Sequence, residues 1–136
     1  ARYQKKISGP LLDRIDIQIH VPRLQYQEMK SRKREESSAS IRQRVVAARQ
    51  IQRERLKGTH LFCNASMGRR EVKACCPLTP QAEALLEKYF VNLGLSARSH
   101  DRIIKVARTI ADLAGSQEIT ALHLGEAIQL RTSIQG

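Results

Sequence analysis

The clearest pattern in the chain is the helical spacing of apolar residues in its last third. Thr79-Pro80 is typical of a helix start, because threonine caps the first amides and proline fits the first turn. Gly94 is placed to end that helix, and Ser96 and Thr120 are predicted caps of two more. Residues 78–136 therefore predict three amphipathic helices. Their predicted apolar faces are Leu85, Leu86, Tyr89, Phe90 and Leu93; Ile103, Ile104, Ala107, Ile110, Ala111 and Ala114; and Leu124, Ala127 and Ile128.

The start of the chain has a different period. A short helical turn is predicted over Leu11–Arg14, and the residues after it alternate between apolar and polar. This alternation predicts a strand over 16–21 that Pro22 stops. One strand makes no sheet, so we expect its partners to lie in a part of the protein that this sequence does not contain.

The middle of the chain is polar and basic. Residues 23–40 are predicted to form a linker, and a helix is predicted over 40–56 with Ser38 or Ser40 as its cap. Residues 58–78 are predicted to be irregular. The helix carries a narrow apolar stripe with arginines around it; the stripe is Ile41, Val45, Ala48, and Ile51 or Gln52.

These elements predict a mainly α fold, a small helical bundle preceded by a short strand and a linker. We divide the chain into a first segment at 1–25, a basic linker with one helix at 26–77, and a helical domain at 78–136. The sequence has 41% hydrophobic and 27% charged residues, which is typical of a globular protein.

The charge is distributed unevenly along the chain. The net charge is +11, and the first 73 residues hold 18 basic and 7 acidic residues, whereas the rest hold 6 of each. Such a basic half indicates a surface for an acidic partner. Aromatic residues make up only 4% and tryptophan is absent, which argues against an aromatic platform for single-stranded nucleic acid.

The cysteines indicate a compartment rather than a site. Cys63, Cys75 and Cys76 are odd in number and two are adjacent, which fits free thiols in a reducing cytoplasm better than a disulfide framework. No second cysteine pair accompanies Cys75-Cys76, so partly buried thiols are favoured over a metal site, and no metal site is predicted. A phosphate-binding G-x-x-x-x-G-K-[ST] motif and an acidic Walker B strand are absent. The chain by itself is therefore not expected to be catalytic.

Two separate blocks carry a resemblance to a known family. The first is Ser8-Gly9-Pro10-Leu11-Leu12-Asp13-Arg14-Ile15-Asp16-Ile17, and the second begins Leu93-Gly94-Leu95-Ser96-Ala97-Arg98-Ser99-His100-Asp101-Arg102 and continues through Leu113. In this order they resemble the magnesium-chelatase-like AAA+ ATPases, and within them the bacterial ComM/YifB group. The resemblance implies the end of an AAA+ core at 1–25 followed by the C-terminal lid domain, with the Walker motifs upstream.

The resemblance implies roles for two arginines in a full-length ATPase that binds ATP and Mg²⁺ and forms a homo-oligomeric ring, expected to be a hexamer. Arg14 matches the arginine finger, which acts in trans on the phosphates bound by a neighbouring subunit. Its alternative is a surface ion pair with Asp13 or Asp16. Arg98 matches the sensor 2 arginine, in cis or in trans, and its alternative is a solvated side chain.

The residues after Arg98 leave two interpretations open. Arg102 and Lys105 share a helix face with Arg98 and could extend a phosphate-facing surface. The favoured interpretation pairs Arg102 with Asp101, and Arg108 with Asp112, on the same helix.

The ComM group is associated with natural transformation and DNA branch migration, which implies a DNA-acting motor or helicase. Arg42, Arg49 and Arg53 on the basic helix are then candidate contacts to DNA phosphates, with a solvated charged face as the alternative. Two other functions stay open. One is a stand-alone basic helical module that binds nucleic acid, and the other is the ATPase subunit of a true magnesium chelatase. No membrane association is expected.

Overall fold

A computed structural model describes residues 9–31 and 34–132 of the chain. Their helices, in chain order, are α1 (Gly9–Arg14), α2 (Tyr26–Met29), α3 (Ser38–Arg55), α4 (Arg69–Cys75), α5 (Pro80–Leu93), α6 (Ala97–Leu113) and α7 (Ala121–Thr132), with a 3₁₀ turn at Asn64–Ser66. The mainly helical fold predicted from the sequence is confirmed.

The predicted starts of α5 and α6 are confirmed by local hydrogen bonds. The Thr79 hydroxyl accepts from the amide of Ala82 at 3.2 Å, and the Ser96 hydroxyl accepts from the amide of Ser99 at 3.2 Å. Gly94 follows α5 with φ +57°, a left-handed conformation that glycine adopts without strain. Thr120 precedes α7 at the predicted position, but its amide donates to Nδ1 of His123 at 3.1 Å and its hydroxyl lies 3.2 Å from the same atom, so its bonds are to a side chain rather than to a helix amide.

The core is formed where α7 packs against both α5 and α6. Leu86, Ile103, Ala107, Leu124 and Ala127 are all at most 2% exposed. The segments before α5 and α7 are also joined, because the Thr79 amide donates to the Ile119 carbonyl at 3.0 Å and the Ile119 amide to the Pro77 carbonyl at 2.9 Å. The prediction that two residues lie in the core is wrong. Leu93 is 55% exposed and Ala114 is also exposed, because both lie at the ends of their helices.

The predicted strand at 16–21 is not formed. Residues 17–25 have no regular structure, because no neighbouring strand in the described parts of the chain offers a hydrogen-bonding edge. The amide of Gln18 instead donates to the carbonyl of Leu130 in α7 at 2.6 Å. Gln18 is 4% exposed, so this segment is anchored to the helical bundle.

The middle of the chain has more helix than predicted. Segment 26–77 holds α2, α3 and α4 where one helix was predicted, and α4 lies within the stretch predicted to be irregular. Glu71 explains its start, since its carboxylate accepts from the amide of Gly68 at 2.9 Å. The cap of α3 is Ser37, whose hydroxyl accepts from the amide of Ser40 at 3.2 Å, rather than Ser38 or Ser40.

Only the second half of α3 packs on the bundle. Ala48 and Gln52 are buried, whereas Ile41 and Val45 of the predicted apolar stripe are 43% and 46% exposed. The first half of α3 therefore leaves an apolar face without a neighbour in the described parts of the chain.

Candidate functional site

Arg14 is the last residue of α1 and its side chain is exposed. Its carbonyl accepts from Nη1 of Arg102 at 2.6 Å. Asp16, a predicted alternative partner, pairs with Arg102 at 3.0 Å, and Asp13 lies 3.8 Å from Arg131. Within residues 9–31 and 34–132, the Arg14 guanidinium has no ion pair. The backbone of Arg14 is held while its charge is left available.

Arg98 is the second residue of α6 and is also exposed. It makes no ion pair with any residue that the structure describes. The amino-terminal turn of a 17-residue helix carries a partial positive charge, so a cation here is locally unfavourable and an anion is favoured. This position suits an arginine that meets an anion supplied from elsewhere.

Arg102 joins these two arginines structurally. It lies one turn after Arg98 on α6 and donates to both the Arg14 carbonyl and the Asp16 carboxylate. The predicted pair of Arg102 with Asp101 is wrong. The Asp101 carboxylate instead lies 3.1 Å from Nδ1 of the neighbouring His100. Arg102 therefore fixes the segment that carries Arg14 onto the helix that carries Arg98.

Lys105 does not extend a phosphate-facing surface. Its ammonium donates to the carbonyls of Ala65 at 3.2 Å and Met67 at 3.3 Å. These bonds attach the loop after α3 to α6, so Lys105 has a structural role here.

Arg131 is a residue that the sequence analysis missed. Its side chain is 9% exposed, and Nη2 donates to the Asp13 carbonyl and the Ser99 hydroxyl, both at 3.1 Å. Its helical spacing could have indicated that Arg131 is buried. It lies at i+7 from Leu124 and i+4 from Ala127, on the buried face of α7. Arg131 is a second tether between α1 and the bundle.

A buried carboxylate fastens α3 to α6. Asp112 has a fully buried side chain and accepts hydrogen bonds from Arg55, Arg108 and Asn64. The predicted Arg108–Asp112 pair is confirmed at 3.1 Å. Arg55, one of the arginines around the predicted apolar stripe of this helix, is only 14% exposed.

The two arginines that bind Asp112 have pKa values shifted in opposite directions. The hydrogen bond from Arg55 to Asp112 raises the pKa of Arg55. Burial lowers the pKa of Arg108, and its remaining donors are satisfied by the carbonyls of Ser116 and Gln117 at 2.6 and 2.7 Å. Both guanidiniums are used within the fold, so they are not candidates for ligand binding.

The three candidate DNA contacts lie on α3 and are exposed. Arg49 and Arg53 are one turn apart, and Arg42 lies two turns before Arg49. None has a carboxylate partner in the described parts of the chain. The neighbouring Arg44, by contrast, pairs with Glu36 at 2.6 Å.

The three cysteines are free thiols in different surroundings. Burial raises the pKa of Cys76 to about 11. The hydrogen bond with Ser66 lowers the pKa of Cys63. Among the described residues, no group of three or more histidine, cysteine or acidic side chains is arranged to hold a metal ion, and no helix is long and apolar enough to cross a membrane.

Two known protein families match this chain. The family described as "Magnesium chelatase, subunit ChlI C-terminal" matches residues 35–131, and "Magnesium chelatase, subunit ChlI" matches residues 1–29. The chain belongs to the magnesium chelatase ChlI C-terminal family. The resemblance stated from the sequence is thereby confirmed.

Curated relatives place the chain near the ComM and YifB proteins. It is 40% identical to "Competence protein ComM" of Haemophilus influenzae, over 98% of this chain and 26% of that protein. It is 40% identical to "Uncharacterized protein YifB" of Escherichia coli and 38% to that of Salmonella typhimurium, in each case over 96% of this chain and 25% of the relative. The chain spans about a quarter of the length of these relatives.

Proposed function

We propose that the full-length protein is a magnesium-chelatase-like AAA+ ATPase, and that this chain supplies its lid and an arginine finger. The observation that carries the proposal is Arg14. Its backbone is held by Arg102, and its guanidinium has no ion pair among the described residues. A planar guanidinium that stays charged can bind phosphate through two parallel hydrogen bonds.

We assign a different role in nucleotide binding to each of the two exposed arginines. Arg14 would contact the phosphates of ATP bound by a neighbouring subunit, and Arg98 would report nucleotide state to the lid as sensor 2. The described residues offer cations for phosphate but no carboxylate cluster for Mg²⁺. The Mg²⁺ ligands and the phosphate-binding loop would therefore come from the Walker motifs upstream. The ring would be a homo-oligomer, with a hexamer as the proposed state.

The test uses full-length rings. An arginine finger stabilises charge that develops in the transition state, so Arg14→Ala should lower ATP hydrolysis by about 10³-fold or more and leave ATP binding nearly intact. Arg23→Ala is the matched control, since Arg23 is another exposed arginine of the segment 1–25 and makes no ion pair with the described residues. Loss of ATP binding, or hydrolysis at the wild-type rate, would refute the assignment.

A mixing experiment tests action in trans. Arg14→Ala subunits keep an intact Walker site, and Walker-dead subunits keep Arg14. If the finger acts across the subunit boundary, mixing the two inactive proteins restores hydrolysis. If each subunit uses its own arginine, the mixture stays inactive.

We further propose that the motor acts on DNA in natural transformation, in the cytoplasm. Two observations support this: the exposed cations of α3, and the similarity to a relative named as a competence protein. The family description favours one alternative, the ATPase subunit of a true magnesium chelatase. ATPase activity of the full-length protein with and without DNA separates the two, because only the DNA motor predicts stimulation by DNA.

A further inference from the structure

A groove runs between the last turns of α3 and the loop that follows. It has a volume of about 590 Å³, and its lining includes Arg49, Arg53, Lys57 and Phe62. We call it the Phe62 groove. We propose that the Phe62 groove binds single-stranded nucleic acid, with its cations on the phosphates and Phe62 stacked on a base. The inference deepens the proposed DNA role of α3.

The charge of the groove selects a polyanion. Arg49 and Arg53 lie one turn apart on α3, a rise of about 6 Å, and Lys57 follows just after the helix end and lines the same groove. No acidic side chain lines the groove. None of the three cations has a carboxylate partner in the part of the chain that the structure describes. A row of cations without carboxylate partners is suited to successive phosphates of one strand.

Phe62 gives the groove its preference for bases. The side chain is 74% exposed, although it lies between the half-buried Leu61 and Cys63. An exposed phenyl ring next to cations offers a flat surface on which any base can stack. Bases inside a duplex are stacked on each other, so only an unpaired base can use this ring.

Hydrogen bonds on both sides of Phe62 hold the backbone of its loop before any ligand arrives. The chain turns at Gly58, whose φ of +86° favours glycine. Thr59 then bonds both sides of the turn: its hydroxyl donates to the Leu56 carbonyl at 2.7 Å and accepts from the Leu61 amide at 3.1 Å. Past Phe62, the amide of the buried Asn64 donates to the Gln52 side chain at 3.0 Å. A loop backbone that is already ordered loses little conformational freedom on binding.

The groove differs from the aromatic platform that composition argued against. A platform needs several aromatic residues, whereas this site uses one ring in each subunit. Tyr26 is also exposed, at 69%, but its ring faces the ammonium of Lys30 at 4.9 Å. Phe62 is thus an exposed ring that lies beside a row of cations. The number of aromatic residues in the chain does not reveal this arrangement.

The test measures fluorescence anisotropy of a labelled oligothymidylate titrated with the 136-residue chain, and then with the full-length protein. Phe62→Ala should weaken binding about 5- to 150-fold, the range for one base–aromatic stack, with little change in salt dependence. Phe62→Trp should retain affinity. Arg53→Gln should weaken binding and also reduce the salt slope by about 0.7, as expected for one lost phosphate contact on a single strand.

Matched controls lie outside the groove. Tyr26→Ala removes another exposed aromatic ring, and Arg44→Gln removes a charge from the same helix that Glu36 already neutralises. Both should bind within about twofold of wild type, as surface substitutions away from the site do. Circular dichroism of each variant verifies that the fold is retained.

Several results would overturn the proposal. These are no binding of oligothymidylate by the wild-type chain, wild-type affinity of Phe62→Ala, an equal loss in Tyr26→Ala, and tighter binding of duplex DNA. Competition by free ATP at the same concentration as the oligonucleotide would instead make the groove a mononucleotide site. The ATPase test on Arg14 is independent of Phe62, so failure of the groove and failure of the proposed motor are distinguishable.

Discussion

Asp112→Ala should be among the most destabilising substitutions in this chain. The Asp112 side chain is fully buried and accepts from Arg55 Nη1 at 2.9 Å, from Arg55 Nη2, from Arg108 Nε at 3.1 Å and from Asn64 Nδ2 at 2.9 Å. Alanine would leave Arg108, which is 1% exposed, without its counter-charge. Removing one partner of a buried pair costs about 3–5 kcal/mol of unfolding free energy.

The size of the effect can be stated as a melting temperature. For a domain of 60–100 residues, 1 kcal/mol shifts Tm by about 4–8 °C. Asp112→Ala should therefore lower Tm by about 12 °C or more, measured by circular dichroism, and lower the urea midpoint at unchanged m-value. Asp112→Asn keeps one acceptor oxygen and the side-chain shape, so its Tm should fall less than that of Asp112→Ala. This variant can be measured even if the alanine variant does not fold.

Glu36→Ala is the matched control. Glu36 also pairs with an arginine, Arg44, at 2.6 Å, but the two side chains are 45% and 59% exposed. Exposed pairs contribute about 0–1 kcal/mol, so this variant should melt within a few degrees of wild type. An Asp112→Ala variant no less stable than Glu36→Ala would refute the reasoning that the buried carboxylate compensates for the arginines around it.

Three further predictions concern the thiols and the first segment. Because burial raises the Cys76 pKa to about 11, the unfolded chain releases this proton at lower pH than the folded chain does. Stability should therefore fall as pH rises from about 8.5 to 11, by up to ~1.4 kcal/mol per pH unit, and Cys76→Ala should flatten this slope in urea titrations. Iodoacetamide should modify Cys63 first and Cys76 last, as peptide mass mapping would show, because Ser66 lowers the pKa of Cys63; the reverse order would contradict these surroundings. Arg102→Ala should accelerate hydrogen exchange at the Gln18 amide, because Arg102 holds Arg14 and Asp16 against α6; unchanged exchange would mean that Arg131 suffices.

Helix boundaries in the last third could be predicted because their causes are local. Thr79 and Ser96 bond amides three residues away, and Gly94 supplies a left-handed residue within its own turn. Such contacts depend on sequence neighbours only, so the order of residue types is sufficient to recognise them. The same holds for the Arg108–Asp112 pair, which spans one helical turn.

The buried arginines could not be predicted in this way. Arg55 meets Asp112 across 57 positions, and Arg131 meets Asp13 across 118. On a helical projection Arg55 looks like a solvated cation, and Arg131 lies on the buried face of α7 with no visible partner; only the tertiary packing supplies the partners of both. The predicted strand at 16–21 fails for a related reason, since alternation describes the segment but not the edge that a strand needs. Arg14 and Arg98 stay predictions, because their proposed partner is a nucleotide bound outside this chain.

Helix α6 is where the two proposed activities meet. Arg102 on α6 holds the segment that carries Arg14, and Asp112 near its other end holds α3 through Arg55. Ten residues of helix separate these two attachments, a length of about 15 Å over which an α-helix is stiff. Hydrogen bonds therefore link the segment at Arg14 to α6, and the Arg55–Asp112 pair links α6 to α3. The buried ion pair thus connects the cations of α3 and the loop with Phe62, through α6, to the segment that carries the proposed arginine finger.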